Sequence, residues 1–283
     1  MTIAVTGATG QLGSLVIDSL LDTVPAAEVV AVVRDLAKAQ SLSDRGVDVR
    51  VASYDDRAAL DLALAGVDRV LLISGSEIGQ RIPQHRNVID AAIAQGVGLL
   101  AYTSAPAADV STLPVAPEHL ATEQYLATTD LDHVLLRNGW YHENYFPAVD
   151  AARGTGSVLT SAGDGKVASA SRADFAAAAA VVLTTDKPLK PVYELGGDTA
   201  WTQADLATTL SDLLGTPVTV AEVTPEQQAT ILAEAGVPPM WVDFTVATDA
   251  SIRNGELEVI SGDLSALIGR PTTPLADTLR TAL

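Results

Sequence analysis

The sequence predicts a doubly wound α/β fold of the Rossmann type. Such a fold is a mostly parallel sheet with helices on both faces, joined here to a smaller C-terminal α/β substrate lobe. Three observations lead to it. Short apolar runs alternate with stretches of helical periodicity through the first half of the chain. A glycine turn, Gly7-x-x-Gly10-x-x-Gly13, joins the first apolar run to the first helical stretch. The chain has 283 residues and no cysteine. At that length it buries roughly three quarters of its unfolded surface and needs no disulfide or metal staple.

The elements follow in order. Residues 2–6 form a short apolar strand, after which Leu12, Leu15, Val16, Leu20 and Leu21 recur at helical spacing. Residues 29–33 are a continuous apolar run, the pattern of a strand buried on both faces, and 47–52, 67–74, 97–103 and 133–137 repeat it. Helical stretches at 36–43, 57–63, 84–94 and 118–128 separate these runs. Such alternation with right-handed crossovers builds a doubly wound sheet over residues 1–150. Beyond Asn138 the rhythm changes. Residues 154–165 are glycine-rich and loop-like, 174–183 form an alanine-rich helix capped by Asp174, and 192–195 form a strand. Thr202 and Asp205 carry the spacing of a capping box for a helix reaching 214. Residues 218–223 form a strand, and Pro225 suits the first turn of the next helix. Residues 236–262 show no clear period, and 275–283 form a short terminal helix. Residues 151–283 are thus expected to form the smaller lobe, whose chain partly returns to the sheet.

Composition excludes several chemistries. Without cysteine there is no thiolate nucleophile, iron–sulfur cluster or cysteine zinc site. The four histidines, His85, His119, His133 and His142, show no paired spacing, so no metal centre is expected. The formal net charge is −18, from 35 acidic and 17 basic residues. Such a surface repels nucleic acids and anionic membranes. No apolar run is long enough for membrane insertion, and no leader pattern precedes the first strand, so a cytoplasmic protein is expected. Oligomeric state is not legible, and a homodimer stays open.

The glycine turn has a physical logic. Glycines permit a tight turn and close approach of the backbone to a pyrophosphate, at which the following helix points its N-terminus. The choice of nicotinamide cofactor falls at the end of the second strand, where an acid would serve the ribose hydroxyls of NADH. Arg34 stands there, 21 residues past Gly13, with Lys38 one helical turn on. A guanidinium takes a 2′-phosphate by paired hydrogen bonds, so NADPH is the expected cofactor. The alternative is a solvated Arg34–Asp35 pair, and an inward Asp35 would admit NADH.

Longer strings carry a family resemblance. The glycine turn with Arg34, then Ala101-Tyr102-Thr103-Ser104, then Leu136-Arg137-Asn138-Gly139-Trp140-Tyr141 with Glu143-Asn144-Tyr145, resemble the NmrA-like atypical short-chain dehydrogenases. Within that family the likeness is to the bacterial type 2 NAD(P)H:quinone oxidoreductases. Residues 73–87, 163–180 and 268–279 extend the likeness over nearly the whole chain. It implies cofactor contacts from Thr9, Gln11 and Leu12 in the turn, Ser74 and Gly75 after the fourth strand, and Thr103 and Ser104 at the end of the fifth. The family often has an acid before the tyrosine that follows the third strand; here Ser53 precedes Tyr54. Lys166 and Arg172 lie in a matching stretch without an assigned role.

The Tyr-x-x-x-Lys pair of ordinary short-chain dehydrogenases is absent, and His119 and Glu123 stand at its spacing. They are either an exposed i, i+4 pair or a catalytic one. The absence weakens alcohol or ketone chemistry and suits a small quinone substrate. Hydride addition to a quinone yields a phenolate-like anion of pKa about 10, far less basic than an alkoxide, so no dedicated acid is needed. Trp140, Tyr141, Tyr145 and Phe146 place four aromatics within seven positions of a chain that is only 4% aromatic. They read as the wall of a pocket for a flat ligand, with core packing as the alternative. Asn144 is the polar group suited to anchor a quinone oxygen, and with Tyr141 it forms the expected catalytic pair. The resemblance therefore implies NADPH:quinone oxidoreductase activity. A cofactor-binding redox sensor of the same family is the alternative, and a sugar-nucleotide epimerase or dehydratase is disfavoured without Tyr-x-x-x-Lys.

Overall fold

A computed structural model describes residues 1–283. Strands β1 (Ile3–Thr6), β2 (Val29–Val33), β3 (Asp48–Val51), β4 (Arg69–Leu72), β5 (Leu99–Ser104) and β6 (His133–Asn138) alternate with helices α1 (Gln11–Leu21), α2 (Gln40–Asp44), α3 (Arg57–Ala63), α4 (Arg81–Ala94) and α5 (Ala116–Ala127). Past β6 come α6 (Phe146–Thr155), β7 (Ser157–Thr160), β8 (Lys166–Val167), α7 (Arg172–Thr184), β9 (Val192–Leu195), β10 (Trp201–Thr202) and α8 (Gln203–Leu214). The chain ends with β11 (Thr219–Glu222), α9 (Pro225–Glu234), α10 (Pro239–Arg253), α11 (Asp263–Ile268) and α12 (Leu275–Arg280).

The main sheet has seven strands in the order β3-β2-β1-β4-β5-β6-β9, all paired in parallel. Strand alternation divides the core in two. Ile3, Val5, Ala31, Val33 and Leu71 face α1 and α7, whose Val16, Ile17, Leu20, Phe175 and Ala179 cover them. Ala4, Val30, Val32, Val70 and Tyr102 face the other way, against Leu60 of α3 and Val88 and Ile89 of α4. A third core, built on Val149, Val158, Trp201, Leu206, Leu210, Ile252 and Leu279, holds the lobe together. There β7 pairs in parallel with β11, and β8 antiparallel with β10.

Several expectations change. The third strand is no buried run but a half-exposed edge: β3 pairs only with β2, and Asp48 and Val51 are exposed. Residues 154–165 are not simply loop. They hold the end of α6, the left-handed Gly156 that closes it (φ 68°) and strand β7. That strand alternates weakly, and its partner lies some sixty residues on, so its local pattern does not reveal it. Asp174 does not cap α7. Ser171 does, its hydroxyl accepting from Asp174 N–H, while the fully buried Asp174 carboxylate pairs with Arg270 at 2.6 Å and takes Thr273 N–H at 2.8 Å. Residues 236–262 contain a long helix, α10, begun by Pro238 and Pro239. It lacks an apolar period because its inward face carries Thr248, Asp249 and Ser251 beside Val242 and Ile252. The division at residue 150 falls inside α6, and α7, β9 and α11 all go back to the main sheet or its covering layer. The capping box of α8 has both of its arms, Thr202 and Asp205. No helix is long and apolar enough to cross a membrane.

Candidate active site

Two adjoining cavities lie at the carboxyl ends of the strands, where ligands of doubly wound sheets bind. The first, of 560 Å³, is walled by the glycine turn, the end of β2 and the segments after β3 and β4. The local geometry of the turn leaves little choice of residue. Gly7 has φ +62°, and a side chain at Gly13 would lie 2.3 Å from the Gly7 carbonyl oxygen and 2.8 Å from Ala8 Cα. No side chain caps α1, so the N–H groups of its first turn point at the cavity without a partner from a cap. Opposite them, Tyr54 closes the floor, its hydroxyl donating to Ile73 O at 2.8 Å. Burial raises the Tyr54 pKa, so the phenol stays protonated.

Arg34 and Lys38 both line the cavity, and Arg34 forms an exposed ion pair with Glu77 at 3.0 Å. Asp35 turns away. Its carboxylate accepts Ala37 N–H at 2.9 Å and caps the short 3₁₀ turn of Leu36–Ala39. Gly7, Thr9, Gly10, Gln11, Leu12, Gly13, Ser74, Gly75 and Thr103 line the same cavity. Ser104 does not. Successive strand residues face opposite ways, and its hydroxyl is buried against the Glu123 carboxylate.

The segment after β4 is strapped from behind. Arg81 Nε donates to Gly75 O at 2.6 Å, His85 Nε2 accepts Gly75 N–H at 2.9 Å, and Glu118 accepts Gly79 N–H at 2.9 Å. Because His85 Nε2 must accept, that ring is neutral, with its Nδ1 proton toward Thr122 at 2.9 Å. Burial, and after it the Arg81 charge, depress the pKa of His85 to about 3. His119 is likewise lowered to about 3 by burial. His119 and Glu123 are neither an exposed pair nor part of the cavities: both are buried, and they do not bind each other. His119 Nδ1 meets the Tyr102 hydroxyl at 2.8 Å, and Glu123 takes two hydrogen bonds from Arg137, at 2.9 and 2.6 Å.

The second cavity, of 1150 Å³, opens beside the first. Trp140, Tyr141, Asn144, Tyr145 and Phe146 all line it, and α10 adds Trp241 and Phe244. Trp140 stacks on Phe244 with the ring planes 20° apart, and Tyr145 packs edge-on to Trp201. Tyr141, Arg81 and Arg172 line both cavities and so mark the junction between them. Arg172 lies over the Tyr141 ring, 4.8 Å from its centroid, and its guanidinium donates to Asn144 Oδ1 at 3.2 Å. Glu143 holds Arg172 in turn, accepting its backbone N–H at 3.0 Å. Asn144 therefore has its carbonyl engaged and its amide donor free to face the cavity. Burial raises the pKa of Tyr141, keeping its hydroxyl a neutral donor.

Sequence reasoning passed over Arg81, Arg172, Trp241 and Phe244 as site residues. The first two lay in stretches already singled out but carried no motif. The second two sit on the helix whose period was not visible.

Residues 7–186 match a family described as NAD(P)H-binding. The chain belongs to that NAD(P)H-binding family. Quinone oxidoreductase 2 of Escherichia coli is 50% identical over 277 residues, 98% of this chain and 97% of that protein. A crystal structure of an NADPH-dependent quinone oxidoreductase from Escherichia coli, complexed with NADPH, superimposes with a TM-score of 0.96, covering 99% of each chain at 50% identity. An NmrA-like family domain-containing oxidoreductase of Aspergillus flavus is 27% identical over 299 residues, all of this chain and 95% of that one. The first cavity of this family member fits a dinucleotide on its own terms. Its glycines permit a turn too tight for side chains at Gly7 and Gly13, and Arg34 and Lys38 gather positive charge in a protein of net charge −18.

Proposed function

We propose that the protein is an NADPH:quinone oxidoreductase of the cytoplasm, passing hydride from NADPH to a small quinone. The observation that carries the reading is the junction of the two cavities. A cradle for a dinucleotide opens directly onto an aromatic chamber, and Tyr141, Arg81 and Arg172 belong to both. The Escherichia coli relatives, named as quinone oxidoreductases and in one case complexed with NADPH, support the same activity.

In this reading Gly7–Gly13 hold the pyrophosphate, and Arg34 with Lys38 hold the 2′-phosphate. The bound NADPH supplies the hydride. The rest falls to side chains at the junction. Trp140, Tyr145 and Phe146 orient the flat acceptor and exclude water from it. Negative charge grows on the acceptor oxygen as it is reduced, and the Asn144 amide donates to it. Arg172 contributes twice, as a fixed positive charge and as the group that holds Asn144 Oδ1 so that the amide stays turned outward. Tyr141 donates from its neutral hydroxyl. A phenolate-like product, pKa about 10, then collects its proton without a dedicated acid.

The test is NADPH oxidation with and without a small benzoquinone or naphthoquinone. Asn144→Ala is expected to lower kcat by about a hundredfold, the scale of one lost oxyanion donor. NADPH affinity should stay close to that of the wild type, since Asn144 lines only the second cavity. No quinone-dependent oxidation above background in the wild type would reject the enzyme and leave a cofactor-binding sensor.

A further inference from the structure

The second cavity is larger than a small quinone needs. Clefts for drug-sized ligands run to roughly 300–1,000 Å³, and this one reaches 1150 Å³. Its near end is the junction with the cofactor cradle. Its far end lies in the lobe, between β7 and helices α9 and α10, and there the aromatic lining gives way to Thr160, Gln203, Gln228 and Asp249.

Asp249 is unusual among the acids of this protein. Three acids are buried: Glu123, Asp174 and Asp249. Glu123 is paired with Arg137 and Asp174 with Arg270. Asp249, 8% exposed, has no cationic partner. One of its oxygens is structural: Oδ2 accepts from Thr160 Oγ1 at 2.9 Å, Ser161 N–H at 2.8 Å and Gln228 Nε2 at 2.7 Å. These bonds tie α10 to β7 and α9. The other oxygen, Oδ1, has no hydrogen-bond partner, and the residue lines the cavity. Buried polar groups are ordinarily satisfied, and a buried carboxylate is ordinarily paired with a cation. A carboxylate oxygen left without a cation in the lining of the chamber marks a place where a ligand completes the set. The arginines of the cavity, Arg81 and Arg172, cannot serve, because Glu118 and Glu143 hold them at the other end.

We propose that Asp249 forms a distal subsite that takes a cationic amino group carried on an extended aromatic acceptor. The ring of the acceptor lies at Tyr141 and Asn144, its linker runs along Trp140, Phe146 and Phe244, and its ammonium reaches Asp249 Oδ1. An ammonium donates to Asp249 Oδ1, and aromatic walls favour a cation along the way. This rests on the quinone reading for the near end of the chamber only.

The experiment uses three naphthoquinones with alkyl chains of equal length, ending in an ammonium, a methyl or a carboxylate group. With the wild type, kcat/KM for the ammonium compound should exceed that for the methyl compound by about tenfold or more, the scale of one charge-assisted hydrogen bond, and the carboxylate should be the poorest. In Asp249→Asn, which keeps an oxygen for the three structural donors, the ammonium-to-methyl ratio should fall close to one. Trp140 and Trp241 line the chamber, so tryptophan quenching in the NADP⁺-loaded protein reads binding without turnover, using non-reducible naphthalenes with the same three chain ends. A wild type indifferent to chain charge overturns the subsite, even if Asp249→Asn fails to fold. A preference that survives Asp249→Asn overturns it as well, since the field of a protein of charge −18 would then explain it. Charge-selective quenching without any quinone turnover would refute the enzyme reading and leave the subsite standing.

Discussion

Replacing Arg34 by alanine tests the cofactor assignment most directly, and the structure sets the size of the effect. The Arg34 side chain is 68% exposed and paired with Glu77 at 3.0 Å. Its charge-assisted contact with a phosphate is worth about 1.5–3 kcal/mol, but forming it gives up an exposed ion pair worth about 0.2–1 kcal/mol. The net is roughly 0.5–2.8 kcal/mol, or about a two- to hundredfold rise in the Kd for NADPH on Arg34→Ala. NADH has no 2′-phosphate, so its Kd should change little and the preference for NADPH should narrow by the same factor. Glu77→Gln works in the opposite direction. It frees Arg34 and removes a negative charge, and NADPH should bind about two- to fivefold tighter. Calorimetric titration of the wild type and both variants with each cofactor measures all six constants. Equal wild-type affinity for NADPH and NADH, or an equal loss of both on Arg34→Ala, would refute the reasoning. Asp35 is not expected to rescue NADH, because its carboxylate is spent on Ala37 N–H.

Gly13→Ala should fold less stably by roughly 1–3 kcal/mol and lose NADPH binding, because the new methyl meets the backbone of Gly7 and Ala8, which cannot swing aside. Gly10→Ala, whose methyl would lie 3.1 Å from the Gly7 carbonyl oxygen, should be milder in both respects; binding by Gly13→Ala at wild-type strength would contradict the cradle. Acid should destabilise the protein through its buried histidines. Folded pKa values near 3 for His85 and His119 and near 4 for His142 lie below the unfolded value, so the unfolded chain binds the extra protons and stability falls as pH drops below about 6.5. At pH 5.5 each histidine costs about 1.4 kcal/mol relative to neutral pH, roughly 4 kcal/mol for the three together, and urea unfolding at pH 7.5 and 5.5 checks it. A flat profile over that window would mean that these rings titrate in the native state as they do in the unfolded chain.

The sequence by itself determined the parallel sheet and the cofactor side of the site. The six apolar runs of the first half, with the strand at 192–195, correspond to the seven strands of the sheet; the inner strands announce themselves by local composition because both their faces are buried, whereas the edge strand β3 proved half-exposed. The glycine turn and Arg34 were legible for a related reason. Each works through its own backbone conformation or its position at a strand end, which spacing along the chain defines. The aromatic cluster after β6 was visible for the same cause, since all its members lie within seven positions.

What only the tertiary structure decided depends on residues far apart in the chain. The partner of β7 comes about sixty residues later, and the face of α10 that lines the chamber is half polar, so neither carries a period of its own. His119 and Glu123 show the limit from the other side. Their spacing puts them near one another on α5, yet burial against Tyr102 and Arg137 sends them to different partners and away from both cavities. Arg172 stood in a recognisable stretch without a role until the fold laid it over Tyr141 and against Asn144, twenty-eight residues earlier. Asp249 had no local signal at all. A carboxylate becomes distinctive only when the fold removes it from water and brings no cation to meet it, and that is a fact about packing, which no spacing along the sequence records.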